Sequence, residues 1–138
     1  MRCLTVRQPW AWAILQAGKG IENRTWPTRH RGPLLIHAGT SRGEKDLRQL
    51  RDWARTYGVE EPAPDALVFG AILGVVDLVA CLPRHQVPAD HPGRIWAEGP
   101  WCWLLANPRP LDRPVPWKGL LGLFEVPEAI GFTPETVR

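Results

Sequence analysis

Lys19, Glu22 and Arg24 stand together in the heptapeptide Gly18-Lys19-Gly20-Ile21-Glu22-Asn23-Arg24, built around a glycine turn. The flanking Ile21 and Trp26 belong in a core, so the three charged side chains leave bulk water together and their protonation states become mutually dependent. Two kinds of chemistry fit such a cluster. A neutral Lys19 would serve as general base while Glu22 activates water, with Asp77, the lone acid of a long apolar segment, as a further proton-handling group. As an ammonium beside Glu22, Lys19 instead joins Arg24 in holding a phosphate or a carbonyl oxygen. A third account needs no ligand: Lys19 caps helix carbonyls and Glu22 pairs with Arg24 to fix a strand.

Around this cluster lie residues able to bind. Arg7 and Gln8 sit at a strand-to-helix junction, where Arg7 is placed for a phosphate and Gln8 for a base edge, or for a helix N-terminal hydrogen bond. Of the eight tryptophans, Trp10 and Trp26 flank the charged turn and Trp117 precedes Lys118 on a loop, so these are the candidates for stacking on bases. Trp12, Trp53, Trp101 and Trp103 are assigned to packing. His37 and Ser41 leave a neighbouring strand at a comparable end and are candidates to close the pocket. The basic turn Arg29-His30-Arg31 either tracks a phosphate backbone or is solvated surface.

The elements that must position these groups follow from the pattern. Leu4 to Val6 reads as a strand, and Pro9 then admits a helix carrying Trp10, Trp12, Ala13, Ile14 and Leu15, stopped by Gly18. Ile21 to Trp26 alternates as an extended segment with Glu22 and Arg24 on one face. Pro33 to Ala38 is a buried strand with His37 at its exit. Ser41 is placed to cap a helix from about Gly43 to Tyr57, closed by Gly58. Val68 to Cys81 is a long strand bent at its glycines, Pro83 to Pro100 a covering loop, Trp101 to Leu105 a strand, Pro108 to Pro116 a proline-rich turn, and Leu120 to Val126 the last strand before a short tail. Five short strands with helices confined to insertions predict an α+β fold, a small mixed β-barrel, in a single domain over 1–138.

Composition bounds the rest. The 138 residues suffice for one self-sufficient core. No apolar run reaches the length of a membrane span, and the N-terminus lacks a secretory apolar region, so a cytoplasmic protein with no membrane partner is expected. Cys3, Cys81 and Cys102 are far apart, without zinc-ligand spacing, and read as buried thiols, so no metal is expected. No glycine-rich phosphate loop or dinucleotide fingerprint is present and no cofactor is predicted. Fourteen arginines against three lysines fit an anionic partner, or merely a codon bias. The oligomeric state is unspecified, with a monomer as default.

GKGIENR, taken with RQPW upstream, RGPLLIHA downstream and PWKG near the end, resembles the ASCH domain family over nearly the whole chain. The signature of glycine, lysine, glutamate and arginine falls on Gly18, Lys19, Glu22 and Arg24. The resemblance implies a PUA-like barrel whose cleft holds the lysine, glutamate and arginine and engages RNA or a modified nucleoside. It further implies a spread of activities, from hydrolysis of N4-acetylcytidine through ribonuclease action to binding alone or service as a non-catalytic interaction module. In the amidohydrolase type a threonine stands where this chain has Glu22, so the hydroxyl nucleophile of that reaction is missing here.

Overall fold

The computed structural model describes residues 1–127, and the short tail expected after Val126 lies, from residue 128 on, outside them. Among the described residues the chain forms β1 (Arg2–Gln8), α1 (Trp10–Gln16), β2 (Ile21–Arg24), β3 (Gly32–Arg42), α2 (Glu44–Tyr57), β4 (Ala71–Pro83), β5 (Trp101–Pro116) and β6 (Leu123–Glu125). The six strands make one sheet in the order β2-β5-β4-β3-β1-β6. The β1–β3 pairing is parallel and every other pairing antiparallel.

Two expectations about this architecture are corrected. The strands number six rather than five among the described residues, and three of them are long: 11 residues in β3, 13 in β4 and 16 in β5. The barrel is not closed, because the edge strands β2 and β6 do not pair with each other. β6 pairs with β1 only from Arg2 to Leu4, so among the described residues the edge of β1 beyond Leu4 has no strand partner. The sheet curls until β2 stands opposite this edge, where the Arg24 Nη2 donates to the Thr5 carbonyl at 2.6 Å. A side chain therefore bridges the seam that a ladder would otherwise close.

Both faces of the central strands are covered, which is why their sequences read as continuous apolar runs. In β3, Leu34 and Ile36 pack beneath α1 with Ile14 and Leu15, while Leu35 faces a second core with Cys3, Ile72 and Phe124. α1 buries Ala11, Ala13, Ile14 and Leu15. It ends as expected at Gly18, whose φ of +72° supplies the left-handed stop. Lys19 emerges there with its amide bound to the Ala13 carbonyl at 3.0 Å.

The segment Pro108 to Pro116 belongs to β5 and is not a turn. Its prolines fall on both sides of a register shift against β4, and all four stand beyond the stretch whose other edge β2 pairs. β2 covers β5 only over Trp101 to Leu104, leaving that edge unpaired where the prolines stand. Ser41 lies within β3, one residue before its end and exposed, and Gly43 is the N-cap of α2, without a side-chain cap. Asp46 folds back over that cap, since a Cβ at Gly43 would lie 2.7 Å from Asp46 Oδ2. A carboxylate so placed complements the helix dipole.

Gly74 lets β4 and β5 approach, for a Cβ there would meet the Arg109 carbonyl at 2.7 Å and Pro110 Cα at 3.0 Å. These are backbone atoms in a paired ladder, so Gly74→Ala should lower stability by about 1–3 kcal/mol in urea unfolding. Burial pushes the Cys3 thiol from its ordinary value of 9.0 up to about 12, and burial likewise raises Cys102 against the opposing charges of Arg84 and Arg94. The folded chain then keeps a proton that the unfolded chain loses. The stability tied to Cys3 is fully present below pH 9 and disappears as the pH climbs towards 12. Brief alkylation of the native protein at pH 8 should mark Cys81 in preference to Cys3 and Cys102 by mass spectrometry.

Candidate functional site

The seam between β1 and β2 gathers the charged heptapeptide. Lys19 is only 5 % exposed, and its Nζ donates to the Ile21 carbonyl at 2.5 Å and to Glu22 Oε1 at 3.1 Å. Two residues beyond Glu22 on the same strand face, Arg24 Nη2 lies 3.0 Å from Glu22 Oε2. The carboxylate thus gives one oxygen to each cation, and the Arg24 guanidinium also holds Thr5. Arg24 Nε is buried and has no hydrogen-bond partner among the described residues. The Lys19 ammonium also stands 5.8 Å from the centre of the Trp10 ring, within reach of a weak cation–π attraction.

Above this cluster opens a cavity of about 420 Å³, walled on one side by β1 at Thr5, Val6 and Arg7 and on the other by α2 at Asp46, Gln49 and Trp53. Trp10, Trp96 and Glu98 complete it, with Asn23 alongside Glu22 and Arg24. Its size fits a small organic ligand. Arg7, Lys19 and Arg24 face Glu22, Asp46 and Glu98 across it, so the lining is formally neutral. Arg7 Nε lies 3.6 Å from Asp46 Oδ2.

The loop expected to cover something does so. Its second 3-10 turn, Arg94–Trp96, drives Trp96 into contact with Trp53, the rings stacked at 4.4 Å and 10°. Asn23 pins the loop: its Oδ1 accepts from the amides of Glu98 and Gly99 at 2.8 Å, and its Nδ2 donates to the Trp96 carbonyl at 3.0 Å. The heptapeptide therefore holds the cavity roof as well as its floor.

Of the residues singled out from sequence, Lys19, Glu22, Arg24, Arg7 and Trp10 line this cavity. Gln8 does not. It is buried on another side of β1, accepting from the Trp12 amide at 2.9 Å and donating to the Val68 carbonyl at 2.8 Å. Trp26 packs edge-on against Trp103 at 4.9 Å. Asp77 lies away from the cavity, bound to Arg109 at 2.6 Å. Ser41 and Lys118 are exposed and outside the lining.

His37 is not at a strand exit but inside β3, 1 % exposed. Its Nε2 lies 2.7 Å from the Trp117 carbonyl, which can only accept, so Nε2 carries the proton and Nδ1 accepts from the Thr5 hydroxyl at 3.1 Å. Trp117, His37, Thr5, Arg24, Glu22 and Lys19 form one continuous hydrogen-bonded chain. Sequence reading missed Thr5, Asn23, Asp46, Gln49, Trp96 and Glu98, and gave Trp53 to packing alone. Only Asn23 carried a local signal, its place inside the charged heptapeptide.

Among the described residues no group of three or more His, Cys, Asp or Glu side chains converges to hold a metal ion, and no helix is long and apolar enough to cross a membrane. The sequence profile of the ASCH domain matches residues 4–135. Curated relatives include the human and mouse proteins named Activating signal cointegrator 1, 32 % and 31 % identical over 120 residues, covering 85 % of this chain. The match spans 21 % of each relative, about a fifth of its length. A solved structure, the crystal structure of ASCH from Zymomonas mobilis, superposes with a TM-score of 0.52 over 93 % of this chain and 88 % of that one, at 14 % identity. That likeness concerns the fold.

Removing the central anion strands two cations. Glu22→Gln should cost about 3 kcal/mol of stability, the low end for breaking a buried pair because Arg24 is 23 % exposed. Asp77→Asn should cost less than about 1 kcal/mol, since Asp77 and Arg109 are 36 % and 29 % exposed. Urea unfolding of the two variants side by side checks the contrast.

Proposed function

Because this chain belongs to the ASCH domain family, we propose that it is an RNA-binding module that takes one base or nucleoside into the cavity at the β1–β2 seam. The observation that carries this reading is the charge balance of the lining together with its aromatic walls. Glu22 is saturated by Lys19 and Arg24, and Arg7 is drawn towards Asp46, so little net positive charge is left for a bare phosphate. A planar, neutral, polar ring fits better. Trp10, Trp53 and Trp96 offer apolar surface. The third donor of Lys19 and the carboxylate of Glu98 offer polar contacts. Modified nucleosides belong to the same class, since a cavity of about 420 Å³ leaves room for a substituent.

Hydrolysis is the second reading, favoured by the placement of Lys19 and Glu22 side by side on the cavity floor. Both groups are already engaged. Lys19 Nζ is tied to the Ile21 carbonyl and to Glu22, Glu22 gives one oxygen to each cation, and the Thr5 hydroxyl is committed to His37. Asp77 stands outside the cavity and takes no part. Binding therefore ranks first.

Titration with nucleosides should quench tryptophan fluorescence saturably, since three tryptophans line the cavity. Arg7→Ala, at a side chain 65 % exposed, should weaken binding by roughly tenfold, the scale of one charge-assisted hydrogen bond, without unfolding the protein. Absence of saturable binding by any nucleoside or RNA would overturn the proposal. Incubation with N4-acetylcytidine should return it unchanged by chromatography; turnover that Lys19→Ala abolishes would put the hydrolytic reading first.

A further inference from the structure

We propose that the exposed ring of Tyr57 is a stacking platform for the base adjacent to the one in the cavity, so that the natural partner is single-stranded RNA of two or more nucleotides. The inference rests on the cavity reading above and extends it along α2. Asp46, Gln49, Trp53 and Tyr57 follow one another at intervals of three and four residues, which places them on one side of the helix. The first three line the cavity, and Tyr57 is the next step along the same side, beyond the cavity's edge.

The rings form a ladder in that direction. Trp96, 4 % exposed, stacks on Trp53 at 4.4 Å, and Trp53 contacts Tyr57 at 4.6 Å with a 42° tilt. Tyr57 is 51 % exposed, and its hydroxyl makes no hydrogen bond among the described residues. An aromatic ladder that starts inside a cavity and ends on an open ring offers its last face to another flat ring. Four residues of helix advance about 6 Å, a distance that one extended nucleotide step covers.

Charge identifies the backbone that would follow this path. Lys45, Arg48, Arg51 and Arg55 are exposed on α2, and none is ion-paired among the described residues although Glu44 and Asp52 lie within one helical turn; Lys45, four residues before Gln49, flanks the cavity side of the helix, while the three arginines line its far side and add to the field that draws a polyanion. The cavity balances its own charges, whereas the helix beside it does not. Phosphates suit the helix, and the base suits the cavity. A peptide partner would meet the same aromatic ring but leave these cations unanswered.

The four nucleoside monophosphates and the four matching RNA homohexamers, titrated by calorimetry against the whole chain, test the proposal. The preferred hexamer should bind at least tenfold more tightly than its monophosphate. Tyr57→Ala should cost roughly tenfold in hexamer affinity, within the range of base–aromatic stacking, and leave the monophosphate affinity unchanged, while Tyr57→Phe retains both. Lys45→Gln should reduce the slope of log affinity against log salt by about 0.7 for the hexamer. A hexamer that binds no better than its monophosphate, or a Tyr57→Ala variant that weakens neither or both equally, overturns the platform while the cavity reading stands. Binding by neither ligand overturns both.

Discussion

Glu22 sits where a hydrogen-bonded ladder would otherwise have to be. A curled sheet of six strands brings β2 within reach of the free edge of β1 without pairing to it, and the gap is spanned by Arg24 from one side and supported by Lys19 from the other. Two cations so close repel, and each loses hydration on burial. A single carboxylate with one oxygen on each answers both costs at once. Removing it would leave the seam with charge and no counter-charge. The short spacing of Lys19, Glu22 and Arg24 follows from this: the lysine must come off the helix turn and the other two must share a strand face.

An open seam has consequences for ligand access. In a closed barrel the backbone groups of β1 beyond Leu4 would be consumed by a neighbour, and no cavity would form there. Here Thr5, Val6 and Arg7 line a space roofed by α2 and by the loop that Asn23 holds through three hydrogen bonds. The roof comes from segments distant in sequence, which explains why an asparagine inside the heptapeptide matters as much as its charged neighbours. Fold and site share one cause: the same incomplete closure that distinguishes the sheet from a barrel creates the cavity.

Much of the local structure was legible in the sequence because its signals are local. Gly18 as a helix stop, the common face of Glu22 and Arg24, and the apolar run of β3 all follow from backbone geometry and short-range pattern. What could not be read depends on long-range pairing. The prolines from 108 to 116 resemble a turn until the sheet shows that they lie within β5, in the part that β2 does not pair. Ser41 looks like a cap, yet β3 runs on through it to Arg42. Asp77 looks poised for chemistry as the lone acid of its strand, but Arg109, thirty-two residues away, answers it. Trp53 and Trp96 gain a role only because α2 and the covering loop meet.

The blocks that carry the family resemblance are scattered over more than a hundred residues of sequence, and a single chain of hydrogen bonds explains their company. RGPLLIHA contributes His37, whose proton is fixed by the carbonyl of Trp117 in PWKG. The other ring nitrogen takes the hydroxyl of Thr5, just ahead of RQPW. The Thr5 carbonyl takes Arg24 of the heptapeptide, and Arg24 reaches Lys19 through Glu22. Gly119 closes over this line so tightly that a Cβ would stand 2.6 Å from the Thr5 hydroxyl and 2.7 Å from the His37 ring, which is why PWKG must end in glycine. A residue on this line acts on the cavity without touching a ligand, by fixing the carbonyl that Arg24 grips. Altering His37 or Gly119 therefore reaches the cavity through Thr5, and the four blocks behave as one unit because each supplies a neighbour that another requires.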